Sequence, residues 1–251
     1  AKQAAEAKAK LAAQKQVEEQ AKQVAPLPSP QPVAETQPKP ASPPQTADAF
    51  KTGIELRQSN KTKEAIDAFS KVESDNPDYL KALWNISILS LSVDQCSKTL
   101  KSIEEIYRSS GETAFTCFYR GAAYYKMARR QASSYEGADK AVKMYYQAIK
   151  ELERAYVKRQ DFSRINIPQV LFNPPQKNIH DIKYYQAMCY YFIYKWERTQ
   201  GELEDAELQR VKMQAKDAFD NYFSYFISLP EDKKQSCSSL YNGALQVNKE
   251  L

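Results

Sequence analysis

Residues 53–77 read GIELRQSNKTKEAIDAFSKVESDNP, and their spacing decides how the rest of the chain is read. Two short apolar-periodic runs flank the polar turn Ser59-Asn60-Lys61-Thr62, which predicts two helices folded back on each other. Gly53 lacks a side chain, so a neighbouring helix approaches closely there. Ala65 and Phe69 lie one helical turn apart and share a face, small beside large. Pro77 cannot continue the second helix and suits the first turn of the next. The hairpin is expected over 48–59 and 62–75.

The same grammar continues toward the C-terminus. A second hairpin is expected over 78–91 and 95–109, stopped by Gly111. Its first helix carries Leu83, Ile86 and Ile88, and its second carries Leu100, Ile103 and Ile106 at i, i+3, i+6. Ser87 and Thr99 take the small positions, which preserves close packing. A third unit opens at Thr113 and a fourth at Tyr184. Tyr119, Gly121, Tyr124 and Tyr125 match Tyr185, Ala187, Tyr190 and Tyr191 at an offset of 66. Ala148, Leu152 and Ala155 match Ala215, Phe219 and Tyr222 at an offset of 67. These later hairpins are longer than the first. Cys189 falls in the register of Ala123 and reads as a small packing residue. A last helix over 231–249 carries Leu240, Ala244 and Val247, which would cover the exposed end of the row.

Gly53, Leu56, Ala65, Phe69 and Pro77 resemble the tetratricopeptide repeat, whose pattern runs W-x2-L-G-x2-Y, then A-x3-F, then P. The offsets of 66 and 67 lie near twice the 34-residue period of that family. The resemblance implies an all-α body over 47–251, an antiparallel helix-hairpin solenoid ending in a capping helix. It also implies that first helices line a concave groove that binds a partner's peptide or helix. Some family members clamp a terminal carboxylate there with Lys, Asn and Arg. Here the matching face shows Phe50, Ile54, Asn85 and Tyr119. Asn85 fits the clamp, but the basic positions are not basic, so an apolar, aromatic-lined groove is expected instead. Tyr119 and Tyr185 are the groove candidates, while Tyr124 and Tyr190 are expected to pack inside.

Two segments precede that body. Residues 1–24 are rich in Ala, Lys, Gln and Glu, strong helix formers with little apolar bulk. They predict a solvated polar helix or an unstructured tether, and resemble the stalks of Tol-type bacterial envelope proteins. Eight of the thirteen prolines fall between Pro26 and Pro44. Residues 25–46 therefore predict a disordered, extended linker without a packed core, reaching roughly 70 Å at ~3.1 Å per residue. Pro40-Ala41-Ser42-Pro43 also offers one P-x-x-P docking match. The chain begins at Ala rather than Met, so a processed product is expected, with any targeting signal or anchor upstream.

Several chemistries find no support. The net charge of +5 is spread along the sequence, too mild for a nucleic-acid groove. No run of about 18 apolar residues offers a membrane span. His180 is the one histidine; it stands in a polar stretch, so a solvated loop position is expected and no zinc site can be completed. Phosphate-binding glycine motifs and the G-x-S-x-G elbow are missing. Glu202-Leu203-Glu204-Asp205 reads as a solvated face. No catalytic residue, metal or cofactor is assigned. Cys96, Cys117, Cys189 and Cys237 are widely spaced and read as buried free thiols; disulfides in any of three connectivities are the alternative.

The remaining segment is Gln160 to Asp181, expected as a long loop between the third and fourth units. It either presents Val170-Leu171-Phe172 to a partner or straps back onto the body, the latter being preferred. The expected function is a non-catalytic protein–protein interaction scaffold in a multiprotein assembly of the bacterial cell envelope, periplasmic or envelope-associated. The alternatives are a cytosolic, cytoplasmic co-chaperone or secretion chaperone, an architectural subunit of an organelle complex, and an enzyme accessory module.

Overall fold

The computed structural model describes residues 45–132, 137–201 and 203–251, with side chains described from Ala49 onward. The expected polar lead 1–24 and nearly all of the linker 25–46 lie outside the described residues. Within them the body is all-α, ten helices with no strand. They are α1 Gln45–Gln58, α2 Thr62–Phe69, α3 Tyr79–Ser92, α4 Cys96–Ser110, α5 Ala114–Gln131, α6 Ala138–Val157, α7 Asp161–Arg164, α8 Pro175–Gln200, α9 Asp205–Ser228 and α10 Glu231–Asn248.

Helix boundaries follow from local chemistry. After α1, Asn60 adopts a left-handed φ of 57°. The Lys61 and Asn60 amides then donate to the Leu56 and Arg57 carbonyls, so two orphan acceptors are satisfied. Asp94 repeats the device after α3, with φ 60° and bonds from Gln95 and Asp94 to Ser90 and Leu91. Asn and Asp tolerate this conformation better than most residues. Thr113 caps α5 in a capping box with Thr116. Pro175 opens α8 at its first turn. Helix α2 is shorter than the expected 62–75. The Ser70 hydroxyl donates to the Ile66 carbonyl, and the backbone passes into turns bonded three residues apart.

Consecutive helices pair as α1 with α2, α3 with α4, α5 with α6, and α8 with α9. Each pair packs on the next, and α10 lies against α8 and α9. The glycine of two pairs meets the large residue of its partner helix: Gly53 beneath Phe69, Gly121 beneath Leu152. Ala187 and Phe219, at the corresponding positions of the α8–α9 pair, are also buried. Ser87 and Thr99 are fully buried, and the Thr99 hydroxyl donates to the Ser87 carbonyl at 3.3 Å. Small side chains thus let backbones approach where a larger residue would overpack.

The core falls into stacked clusters. Phe50, Ile66 and Phe69 fill the first pair. Trp84, Phe115, Phe118 and Tyr119 fill the junction of α3 and α5. Tyr125, Tyr145, Phe219 and Tyr222 fill the last pairs, where α10 contributes Ala244. All four cysteines are buried free thiols.

Candidate functional site

The connector after α6 carries the first candidate site. It forms the short helix α7 and then residues 165–174 run without regular structure to Pro175. These residues cross back over α1, α3 and α5. Gln169, at a left-handed φ of 62°, turns its carbonyl oxygen toward Arg57. Arg57 Nη1 donates to that oxygen at 2.7 Å and to Asn85 Oδ1 at 2.5 Å. Asn85 Nδ2 donates to the Lys81 carbonyl at 2.9 Å and reaches the Gln169 oxygen at 3.4 Å. Phe172 lies 5.5 Å from the Trp84 ring and 4.1 Å from the Phe115 ring, centroid to centroid. The strap alternative is what the chain adopts.

This placement separates the candidate residues. Asn85, Val170 and Phe172 come together, while Leu171 points away and is 60 % exposed. Phe50 is buried against Phe69 in the first hairpin, not on an open face. Ile54 is half-buried on the same cluster. Tyr119 is a buried core residue, not a groove residue, because Phe118, Trp84 and the strap's own cluster enclose it. Asn85 has a basic neighbour, Arg57, which the expected groove face of Phe50, Ile54, Asn85 and Tyr119 did not include. The role of Arg57 was invisible in sequence, since its partner lies 112 positions away.

Tyr185 belongs to a second site, a cleft of about 430 Å³ between α5 and α8. Its walls include Asp94, Lys126, Arg129, Arg130, Tyr184 and Tyr185. Lys126 Nζ donates to Asp94 Oδ1 and to the Leu91 carbonyl, each at 2.8 Å. Arg130 lies 3.5 Å from the other Asp94 oxygen. The hydrogen bond from Lys126, helped by the neighbouring arginine charges, holds the Asp94 carboxyl below the usual carboxylate range. The Tyr185 ring packs 4.9 Å from Tyr125, and burial pushes both phenols upward. Among the described residues lining it, three cations stand against one carboxylate, which gives this cleft positive character. Tyr124 and Tyr190 are half-buried, whereas their neighbours Tyr125 and Tyr191 are the packed ones.

His180 corrects another expectation. It stands inside α8, fully buried, not in a solvated loop. Its Nδ1 lies 3.1 Å from Asp181 Oδ1 and its Nε2 lies 2.9 Å from the Tyr222 hydroxyl. Lys177 completes the chain at 3.1 Å from Asp181 Oδ2. The carboxylate–imidazole–phenol order resembles a proton relay, yet His180 and Tyr222 are both sealed from solvent. The network joins α8 to α9 and satisfies polar groups that burial would otherwise penalise.

Among the described residues no group of three or more His, Cys, Asp or Glu could hold a metal ion, and no helix is long and apolar enough to cross a membrane. In comparison with known proteins, no family model matches the chain and no curated protein matches it.

Proposed function

We propose that this chain is a non-catalytic interaction scaffold within a multiprotein assembly of the bacterial cell envelope. In this reading the body is a tetratricopeptide-like solenoid, and the hairpins nested through Gly53 and Gly121 are its repeats. The observation that carries the reading is the α5–α8 cleft, whose described lining sets Lys126, Arg129 and Arg130 around one carboxylate, Asp94, beside half-buried Tyr184 and Tyr185. Such a surface suits an acidic protein segment: cations supply long-range attraction and tyrosine supplies rigid contact area. The envelope assignment is supported by the Ala/Lys-rich lead and the proline-rich segment.

A photo-crosslinking residue placed at Arg129 tests this in native cells. One discrete protein adduct is expected, and it should weaken when Lys126 is changed to Glu. The same residue at Met213, exposed on α9, serves as the control. Adducts equally frequent from both positions, or none from Arg129, would overturn the cleft as the docking face.

A second reading is a peptide-binding co-chaperone of the cytosol. It is favoured by Arg57 and Asn85 converging on one carbonyl oxygen, as residues reading a peptide backbone would.

A further inference from the structure

The strap differs from the surface beneath it. Trp84, Asn85, Phe115 and Tyr119 are each at most 3 % exposed. By contrast, no residue from Ile165 to Pro174 is fully buried. Ile165, Ile167, Val170 and Phe172 turn toward the body, and Asn166, Pro168, Gln169 and Leu171 turn outward. That near-alternation is how an extended peptide lies in a binding groove. Most of its backbone bonds are local. The Ile165 and Val170 amides donate to Asp161 and Ile167, the Asn173 carbonyl accepts from Asn178 Nδ2 in α8, and at the seat the Gln169 carbonyl accepts from Arg57 and Asn85. Gln169 holds a left-handed φ that a glutamine seldom adopts, so the polar grip is maintained against a backbone preference.

We propose that residues 165–173 are a resident pseudo-ligand, and that the seat formed by Arg57, Trp84, Asn85 and Phe115 accepts in their place an extended partner segment of the same chemistry. That segment carries alternating aliphatic residues leading to an aromatic ring. Its backbone carbonyl, three residues before the ring, meets Arg57 and Asn85. The ring enters the space between Trp84 and Phe115. Because the strap is tethered at both ends, its effective concentration at the seat is high, on the order of millimolar for a short flexible link. A partner segment therefore enters only when the strap is drawn away or when it is presented at comparable local concentration. This inference stands apart from the α5–α8 cleft, and its test reads the seat alone.

The test uses the full chain in two forms, native and with residues 165–173 replaced by a Gly/Ser nonapeptide. Trp196→Phe in both leaves Trp84 as the sole tryptophan. The probe is a labelled synthetic peptide of residues 165–174, acetylated and amidated so that it brings no terminal charge. We expect saturable binding to the replaced form with a change in Trp84 emission, and binding to the native form weaker by at least about tenfold. Phe172→Ala in the peptide should abolish the Trp84 response. A replaced form that retains cooperative melting and ignores the peptide overturns the proposal. A replaced form that fails to fold also overturns it, since a displaceable ligand must be dispensable to its seat. Hydrogen exchange on the native chain supplies an independent readout: amides of 166–172 should exchange far faster than those of α3 and α5, and equal protection would count against displacement.

Discussion

Gly53 sits so close beneath the Phe69 ring that a β-carbon built on it would lie 2.6 Å from two ring carbons. Real β-carbons essentially never approach that near, so the ring or the helix would have to shift. Gly121 repeats the relationship under Leu152, at 2.7 Å from its Cγ, with the Ala148 carbonyl oxygen at 3.2 Å. The first contact ties α1 to α2 and the second ties α5 to α6.

Gly53→Ala and Gly121→Ala are therefore expected to destabilise the fold by about 1–3 kcal/mol through overpacking. Gly243, on an exposed turn of α10, has nothing within 4 Å of the same construction. Gly243→Ala should instead stabilise by about 0.5–1 kcal/mol, because alanine loses less freedom on entering a helix. Urea unfolding of the three variants checks the sign at each site.

Tyr222→Phe removes the hydroxyl that meets His180 Nε2 at 2.9 Å and leaves a fully buried ring nitrogen without its partner. A loss of about 1–3 kcal/mol is expected. A double-mutant cycle pairing this change with His180→Phe should show non-additive losses, since both variants break one bond. Simple additivity would place the stabilisation elsewhere.

Glu151 is 1 % exposed, 3.2 Å from Arg120 and 3.4 Å from Arg154. Burial pushes its carboxyl above the ordinary glutamate range despite the Arg120 charge beside it. The folded state thus holds this proton more firmly than the unfolded chain. Its stabilising share is complete below the unfolded pKa and is lost as pH rises through the raised folded value. In Glu151→Gln that decline should disappear from the stability–pH profile, while the rest of the curve keeps its shape. An unchanged slope in mildly acidic buffer would refute the assignment.

Burial raises the Cys117 thiol to about 11 and the Cys189 thiol well above its ordinary value. Both should resist alkylation at neutral pH in the folded protein, because the thiolate is the reactive form. Iodoacetamide labelling followed by peptide mapping should find these two modified only after denaturant is added. Rapid native labelling of either would contradict the packing of α5 and α8.

The helices were legible because their punctuation is local. Pro77, Gly111 and Pro230 stand where the chain turns, and the expected last helix 231–249 matches α10 at Glu231–Asn248 to within a residue. The rotation of the tyrosine-rich helices was not legible. Tyr124 and Tyr125 are adjacent, and only the position of α6 and α8 decides that Tyr125 packs against Tyr145 and Tyr185. His180 was misread because Lys177, Asn178 and Asp181 give it a polar neighbourhood in sequence. In the fold those same residues bond inward, Lys177 to Asp181 and Asn178 to the Asn173 carbonyl. Of the candidate site, the strap's apolar residues were visible, but nothing near Gln169 in sequence announces Arg57.

Each helix pair contacts mainly the pairs beside it in sequence, so the first pair is held on one side only. Arg57 and Gln169, bonded across 112 positions, fasten the opening hairpin to the stretch that precedes α8. Closing so long a span adds only a logarithmic entropic penalty. The clasp therefore couples opening of the first hairpin to release of the segment before α8. Anything that lifts the clasp would loosen both regions at once, so occupancy at one place would be felt as pliancy along the whole body.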